Sequence, residues 1–159
     1  QREFLSGMFA KRKVKRLLAA ALDFVDYHYF YGSAVMAVPP RRPSRRDLAR
    51  ADVLRLPLSL AGSTRLARFS YEILDLLESG EPDLPDLHAS LRPVGSFAAI
   101  YPREGEVATE SLAEPYYRLL QGLDGAAPAG AVAARLGIPP REARDFLTFA
   151  AEEGIVVLR

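Results

Sequence analysis

Residues that could bind a catalytic metal are scarce in this sequence of 159 residues. The two histidines are His28 and His88, and there is no cysteine. Asp23, Asp26 and His28 are close in the sequence, but their spacing of i, i+3, i+5 does not place all three on one helical face. A catalytic metal needs three or more convergent ligands. We therefore expect no metal site in this chain.

A second candidate chemistry is acid–base catalysis by the carboxylates around a predicted hairpin. Alternate residues of a strand share a face, so Glu104, Glu106 and Glu110 could line one side of it. A solvated strand face explains the same pattern more simply. The sequence has no nucleophile-elbow motif and no plausible Ser–His–Asp grouping. We therefore expect no catalytic residues, and no enzyme activity from this chain alone.

Glycine-rich phosphate-binding loops are also absent from the sequence. The segment 122–125 and Gly130 match neither a P-loop nor a dinucleotide-binding fingerprint. No apolar run approaches the ~20 residues that span a bilayer, and no signal peptide is evident. These features predict a cytoplasmic protein without a cofactor of its own.

The net charge of +1 conceals a marked asymmetry along the chain. The first 68 residues contain 14 Lys and Arg against 5 Asp and Glu, and the remaining 91 contain 7 against 15. Two surfaces of opposite charge suggest two different partners, or one surface that neutralises the other. A solvated charge distribution without a partner is an equally open interpretation.

The last third of the chain predicts a compact module. Two short strands, Ser96–Pro102 and Glu106–Leu112, flank a turn that contains glycine. Three helices follow, each beginning at a proline and ending before a glycine, which is the preferred order of these residues at helix ends. The proline–glycine pairs are Pro115 and Gly125, Pro128 and Gly137, and Pro140 and Gly154. With a final buried strand at Ile155–Leu158, this order predicts a winged-helix-like module.

The front of the chain predicts a long helix from Phe4 to about Tyr31, with a possible break at Gly7. Its apolar residues recur at helical spacing and form one stripe, namely Val14, Leu18, Leu22, Val25 and Tyr29. Five aromatic residues lie between positions 24 and 31, namely Phe24, Tyr27, Tyr29, Phe30 and Tyr31. They predict either a partner interface, since aromatic residues supply much interface area, or a helix buried on several sides.

Between these parts the sequence predicts shorter elements. A helix could begin at Arg45 and end before Pro57, and Thr64–Phe69 could form a strand. Ser70 could cap a helix over Tyr71–Ser79, and the proline-rich segment Glu81–Pro93 reads as a linker. We predict an N-terminal helical part at 1–63 and the winged-helix-like part at 64–159, an α+β fold.

Two binding functions fit such a module. As a DNA reader, it would present Arg141, Arg144 and Thr148 to base edges from the second helix of a helix–turn–helix. The surrounding half of the chain is acidic, and phosphate neutralisation dominates DNA affinity. DNA binding, or a transcription-regulatory role, is therefore the alternative function rather than the preferred one.

The preferred function is peptide binding by strand addition. An open strand edge beside a helix can accept an extended peptide, with main-chain hydrogen bonds providing affinity. Either Thr64–Phe69 or the hairpin could provide that edge. The predicted peptide-binding residues are Arg65, Leu66 and Phe69 on the strand and Arg141, Arg144 and Thr148 on the helix.

Several segments of the sequence resemble a known family. These are Phe97–Val107, Tyr116–Leu123, Phe146–Leu147 and Glu153–Val156. They look like the C-terminal part of the non-catalytic partner proteins of multinuclear non-heme iron oxidases, of the methanobactin or thiaglutamate type. The last helices are also similar to the precursor-recognition domains of systems that modify ribosomally made peptides. The similarity covers roughly Arg65 to Arg159.

This resemblance implies an accessory subunit in a hetero-oligomer. It would bind the leader of a precursor peptide and present the cysteine-containing core peptide to an iron-dependent oxidase. The iron and its ligands would belong to the partner enzyme. We predict that Phe24, Tyr27, Tyr29, Phe30 and Tyr31 form the enzyme interface.

Overall fold

The computed structural model describes residues 2–43, 47–48, 51–78 and 91–158, with side chains from residue 14 onward. The helices are α1 (Arg2–Val35), a 3-10 helix (Val53–Arg55), α2 (Leu74–Glu78), α3 (Glu114–Gln121), α4 (Ala129–Arg135) and α5 (Pro140–Glu153). The strands are β1 (Leu58–Leu60), β2 (Arg65–Phe69), β3 (Ser96–Arg103), β4 (Glu106–Leu112) and β5 (Val156–Leu158). The predicted α+β class is confirmed.

The strands form two small sheets. β1 and β5 make an antiparallel pair in which Leu58 lies opposite Leu158. The second sheet has the order β2-β3-β4, with β3 and β4 antiparallel. The predicted strand at Ile155–Leu158 is present as β5. Its partner β1 was not predicted, because three residues are too few to show an alternating pattern.

The chain divides into two compact units, each built from two segments. The first unit comprises Gln1–Tyr29 and Arg68–Ser96, and the second comprises Phe30–Ala67 and Phe97–Arg159. Each unit draws on both of the predicted parts, and the boundary at 63/64 stays a prediction.

A buried carboxylate organises the first unit. Asp23 on α1 is 6% exposed, and its Oδ2 accepts hydrogen bonds from the backbone N–H of Ser70 at 2.9 Å and of Tyr71 at 3.0 Å. The Ser96 hydroxyl donates to the Tyr71 carbonyl at 2.9 Å. These bonds fix the turn after β2, where the sequence predicted that Ser70 would cap a helix.

The helix after this turn is shorter than predicted. α2 begins at Leu74 rather than at Tyr71. The N–H of Glu72 donates to the carbonyl of Arg92 at 3.2 Å, and the Glu72 carboxylate accepts from the N–H of Leu74 at 3.1 Å. Glu72, rather than Ser70, therefore provides the acceptor at the start of this helix. Ile73 and Leu74 are buried.

The predicted linker lies largely outside the described residues. A continuous helix from Arg45 to before Pro57 is wrong, because Asp52 has an extended backbone and its side chain caps the separate 3-10 helix by accepting from the N–H of Leu54. Residues 45–46 and 49–50 of that predicted helix lie outside the described residues.

The second unit has its core between the helices and the strands. α5 packs against the 3-10 helix, α4 and β5. Gly130 on α4 lies against the 3-10 helix so closely that a Cβ at this position would be 2.9 Å from the carbonyl oxygen of Leu54. The fully buried core includes Tyr101, Leu119, Leu120, Leu147, Ile155 and Val156. The three predicted helices are confirmed as α3, α4 and α5.

Helix α1 is continuous through Gly7. It buries Ala20 and Asp23, whereas the apolar residues of the predicted stripe are exposed. We refer to these residues, Val14, Leu18, Leu22, Val25 and Tyr29, as the α1 stripe. Amphipathic patterning predicts that such a stripe faces a core, so the pattern located the stripe but not its environment.

The Asp23 bonds give a prediction for stability. We expect Asp23→Ala to lower the free energy of unfolding by about 1–3 kcal/mol, because it leaves backbone N–H groups without an acceptor. Urea denaturation measures this change. Asp26→Ala, an exposed aspartate on the same helix, is the matched control and should change stability by less than about 0.5 kcal/mol. Equal effects of the two substitutions would contradict the role given to Asp23.

Candidate functional site

The hairpin β3–β4 is closed by a tight two-residue turn. Its central residues, Glu104 and Gly105, have φ values of 48° and 89°, and Arg103 lies opposite Glu106. Positive φ at both central residues is typical of a type I′ turn, whose twist matches that of the strands. The turn therefore fixes the register of the hairpin.

This register determines which backbone groups of β4 face outward. In an antiparallel pair, opposite residues alternate between hydrogen-bonded and non-hydrogen-bonded pairs, and a two-residue I′ turn is closed by a hydrogen-bonded pair. Glu106, Ala108 and Glu110 therefore direct their N–H and C=O groups to β3. Val107 and Ser111 direct theirs away from β3, and among the described residues β4 is the outer strand of its sheet.

Two open grooves adjoin the first half of β4. One has a volume of about 510 Å³ and is lined by residues of the hairpin and by the segment Tyr31–Pro39. The other has a volume of about 400 Å³ and is lined by Arg103, Glu104, Glu106, Val107 and Ala108. Glu106 and Val107 line both grooves, so there is space next to the outer edge of β4.

A cluster of ionisable side chains joins the hairpin to the end of α5. The Tyr101 hydroxyl donates to Oε2 of Glu153 at 3.4 Å, and Arg103 Nε lies 3.1 Å from the same oxygen. Glu110 on β4 is electrostatically coupled to Glu153. We call Tyr101, Arg103, Glu110 and Glu153 the hairpin–helix cluster.

Burial and like charge shift the pKa values in this cluster. Burial, together with the charges of Glu153 and Glu110, raises the pKa of Tyr101 to about 12. Burial and the charge of Glu153 also raise the pKa of Glu110, and Arg103 partly offsets this. The anionic form of Glu110 is thus disfavoured, and an additional cation near the cluster would stabilise it.

Three aromatic side chains of α3 and α5 lie close to one another. Tyr116 stacks on Phe146 with ring centroids 4.5 Å apart, and Phe149 lies 6.5 Å from Phe146. All three are half-buried against the core. Phe146, Phe149 and Glu153 are spaced i, i+3, i+7 and share one face of α5. We call Tyr116, Phe146 and Phe149 the aromatic patch.

The predicted strand residues lie on β2, the opposite edge of the sheet from β4. Arg65 Nη1 donates to the carbonyls of Gly62 at 2.7 Å and of Thr64 at 3.1 Å. Leu66 is half-buried against the core of the second unit. Phe69 is 1% exposed, and its ring centroid lies 6.4 Å from that of Tyr27. Phe69 is therefore a core residue of the first unit.

The predicted helix residues share one face of α5. Arg141 and Arg144 are exposed and Thr148 is half-buried. Arg144 Nη2 lies 3.5 Å from Oδ1 of Asp52, next to the 3-10 helix. At 100° per residue this face is distinct from the face that carries Phe146, Phe149 and Glu153.

The predicted enzyme-interface residues do not share one face of α1. Tyr29 is 69% exposed and Tyr31 is 37% exposed, whereas Phe24, Tyr27 and Phe30 are half-buried. The Tyr27 ring contacts Phe69 and also lies edge-on to His28 at 5.6 Å. Packing within the first unit thus accounts for part of the high aromatic content of positions 24–31.

Within the described residues, no group of three or more His, Cys, Asp or Glu residues could hold a metal ion. Asp23 accepts two backbone hydrogen bonds, Asp26 and His28 are exposed, and His88 lies outside the described residues. Glu104 lies in the turn, 3.8 Å from Arg42, while Glu106 and Glu110 share the strand face predicted for them.

Sequence reasoning identified the hairpin but missed the residues that complete the site. From the sequence, Tyr116, Phe146 and Glu153 belong only to the segments that resemble the known family, and Phe149 has no predicted role. The i, i+3, i+7 spacing of Phe146, Phe149 and Glu153 was a usable signal. The proximity of Tyr101 to Glu153 depends on how α5 packs on the hairpin, and no local sequence pattern indicates it.

The chain matches no family model, no curated protein and no solved structure. In the part of the chain that the structure describes, none of the helices has the length and apolarity to cross a bilayer.

The raised pKa of Glu110 gives a prediction for stability against pH. A carboxyl group whose pKa is higher in the folded state costs stability as the pH rises above its ordinary value of 4.5. We therefore expect Glu110→Gln to raise Tm at pH 7, by a few degrees at most, since 1 kcal/mol corresponds to about 2–4 °C at this chain length. The gain should vanish below about pH 4.

Calorimetry between pH 4 and 8 measures this difference. Glu106→Gln, an exposed position on the same face of β4, is the matched control and should show a smaller gain. A Glu110→Gln protein that is less stable than the parent at pH 7 would contradict the electrostatic account of the hairpin–helix cluster.

Proposed function

We propose that this chain is a non-catalytic subunit that binds the leader of a ribosomally made precursor peptide as an added strand along β4. It presents the cysteine-containing core peptide to an iron-dependent oxidase. The observation that carries this proposal is the outer strand β4, with open grooves beside it and the end of α5 next to its sheet face.

The main chain of β4 supports strand addition. Val107 and Ser111 direct their N–H and C=O groups away from β3. The two residues are four positions apart, and outward groups recur every second residue along a strand edge, so one incoming strand can bond to both. Main-chain hydrogen bonds of this kind provide affinity that does not depend on the peptide's sequence.

Side chains near β4 would provide the specificity. Alternate residues of the added strand point toward the face of the sheet that carries Glu110 and the end of α5. The aromatic patch suits an apolar side chain of the leader. Glu110 and Glu153 suit a Lys or Arg, whose charge would stabilise the anionic form of Glu110. We therefore propose a leader with an apolar residue and a basic residue on the same strand face.

The proposed function also assigns a role to the C-terminal helices and to α1. Helices α3, α4 and α5 with β5 make the winged-helix-like part. Helix α1 docks the oxidase through the aromatic residues between positions 24 and 31, of which Tyr29 and Tyr31 are the most exposed. The iron ligands belong to the oxidase, and this chain contributes no cofactor. The complex would act in the cytoplasm, where the precursor peptide is made.

A substitution in the β4 backbone tests the proposal. Val107→Pro removes an outward N–H without removing a bond to β3, and proline is tolerated at such edge positions. We expect it to weaken leader binding at least tenfold, because the added strand loses a hydrogen bond and meets the proline ring. Val107→Ala, which keeps the N–H, should change affinity less than threefold.

Fluorescence anisotropy measures both affinities, with a labelled synthetic leader that carries an apolar and a basic residue on one strand face. Circular dichroism checks that the variants fold. Equal affinities of Val107→Pro and the parent would contradict strand addition at β4. Binding to a random DNA duplex at ~0.15 M salt with a steep salt dependence, and no binding to the leader, would favour the DNA-binding alternative instead.

A further inference from the structure

The α1 stripe is the most extensive exposed apolar surface on one helix in the part of the chain that the structure describes. The exposed fractions of its five side chains range from 56% at Leu22 to 69% at Tyr29. At 100° per residue they lie within an arc of about 80°, and they extend for about 22 Å along the helix. On the opposite side of α1, Ala20 and Asp23 are buried. The stripe thus faces away from the first unit's own core.

The two flanks of the α1 stripe differ in charge. Lys15 and Asp26 are exposed and lie on the same flank, at about 60° and 80° from the middle of the stripe. The other flank carries Ala21 and His28, also exposed. A surface that packs on this stripe would therefore meet one positive and one negative charge along one side.

We propose that the α1 stripe binds the α1 stripe of a second copy of this chain, with the two helices antiparallel and related by a two-fold axis. A two-fold axis near residues 21 and 22 pairs Val14 with Tyr29 and Leu18 with Val25 of the second copy. Each exposed apolar side chain then lies opposite an apolar one, as an isologous interface requires.

The charges on the flank support this arrangement. An antiparallel two-fold pair brings like flanks together, so that Lys15 lies about 3 Å along the axis from the level of Asp26 in the second copy. The symmetry produces this pair of opposite charges twice. A parallel pair would instead place the Lys15 flank against the flank of Ala21 and His28, where Lys15 and Asp26 do not meet. The chain's own charges thus favour a second copy in the antiparallel orientation.

The length of the α1 stripe determines the expected affinity of the dimer. Two helices in contact over about 22 Å bury an area at the low end of specific interfaces, which is typical of weak or transient association. We therefore expect a dimer with a dissociation constant in the micromolar range. The inference does not depend on the proposed peptide function, because it uses the isolated chain and shares only Tyr29 with the proposed enzyme interface.

Sedimentation velocity of the full chain between about 1 and 200 μM tests the association. We expect the parent to change from monomer to dimer across this range, and Leu22→Lys to weaken association more than tenfold. Val94→Lys is the matched control, since Val94 is an equally exposed apolar residue of the first unit outside α1. A monomeric parent at 200 μM, or equal effects of the two lysine substitutions, would overturn the proposal.

Charge exchange tests the flank pairing. Asp26→Lys or Lys15→Glu alone should weaken the dimer about twofold to fivefold, as expected for exposed ion pairs, and the double variant should restore the parent's affinity. Additive weakening in the double variant would contradict the Lys15–Asp26 contact.

The absence of cysteine in the sequence allows a test of orientation. A mixture of the Leu18→Cys and Val25→Cys proteins should form a mixed disulfide dimer, because these positions face each other in the antiparallel pair. Each variant alone should cross-link poorly, since its two cysteines are about 10 Å apart along the axis, beyond disulfide reach. Efficient cross-linking of each variant with itself would indicate a parallel pair and overturn the antiparallel arrangement.

Discussion

The backbone at the outer edge of β4 has donors and acceptors that need partners, and the proposed peptide site depends on this requirement. Every residue of a strand carries a donor and an acceptor, and an outer strand directs half of them away from its sheet. The type I′ turn at Glu104 and Gly105 fixes which half, because a shift of one residue would exchange the inward and outward sets. Proteins commonly cover or blunt such an edge, whereas in the described part of the chain the first half of β4 has open grooves beside it. Val107 and Ser111 thus provide the template on which the proposed function rests.

The hairpin–helix cluster connects this edge to the helices. Glu153 is at the end of α5, so its contacts with Tyr101 and Arg103 hold that end against β3. The same contacts bring two carboxylates, Glu110 and Glu153, into one partly buried region, which raises the pKa of Glu110. A structural contact between helix and hairpin therefore also creates a local preference for a cation beside the strand edge.

The sequence predicted the helices and strands better than it predicted which of their side chains are buried. The hairpin, the three C-terminal helices and the long α1 follow from proline, glycine and apolar spacing, which are local signals. The predicted start of α2 was wrong because Glu72, rather than Ser70, accepts the hydrogen bond at the start of the helix, and its own N–H donates to the carbonyl of Arg92, which is distant in the sequence. The α1 stripe was found by its spacing, but whether it faces a core depends on which side of the helix the rest of the unit covers. Phe69, predicted at a binding surface, is buried for the same reason.

The most direct measurement of the central claim is amide hydrogen exchange on β4, followed by NMR with and without the leader peptide. The account predicts that the amides of Val107 and Ser111 gain at least tenfold protection when the leader binds, while those of Ala108 and Glu110, which face β3, change little. Protection confined to β2 or to the exposed face of α5 around Arg144, with no change at Val107 and Ser111, would contradict it.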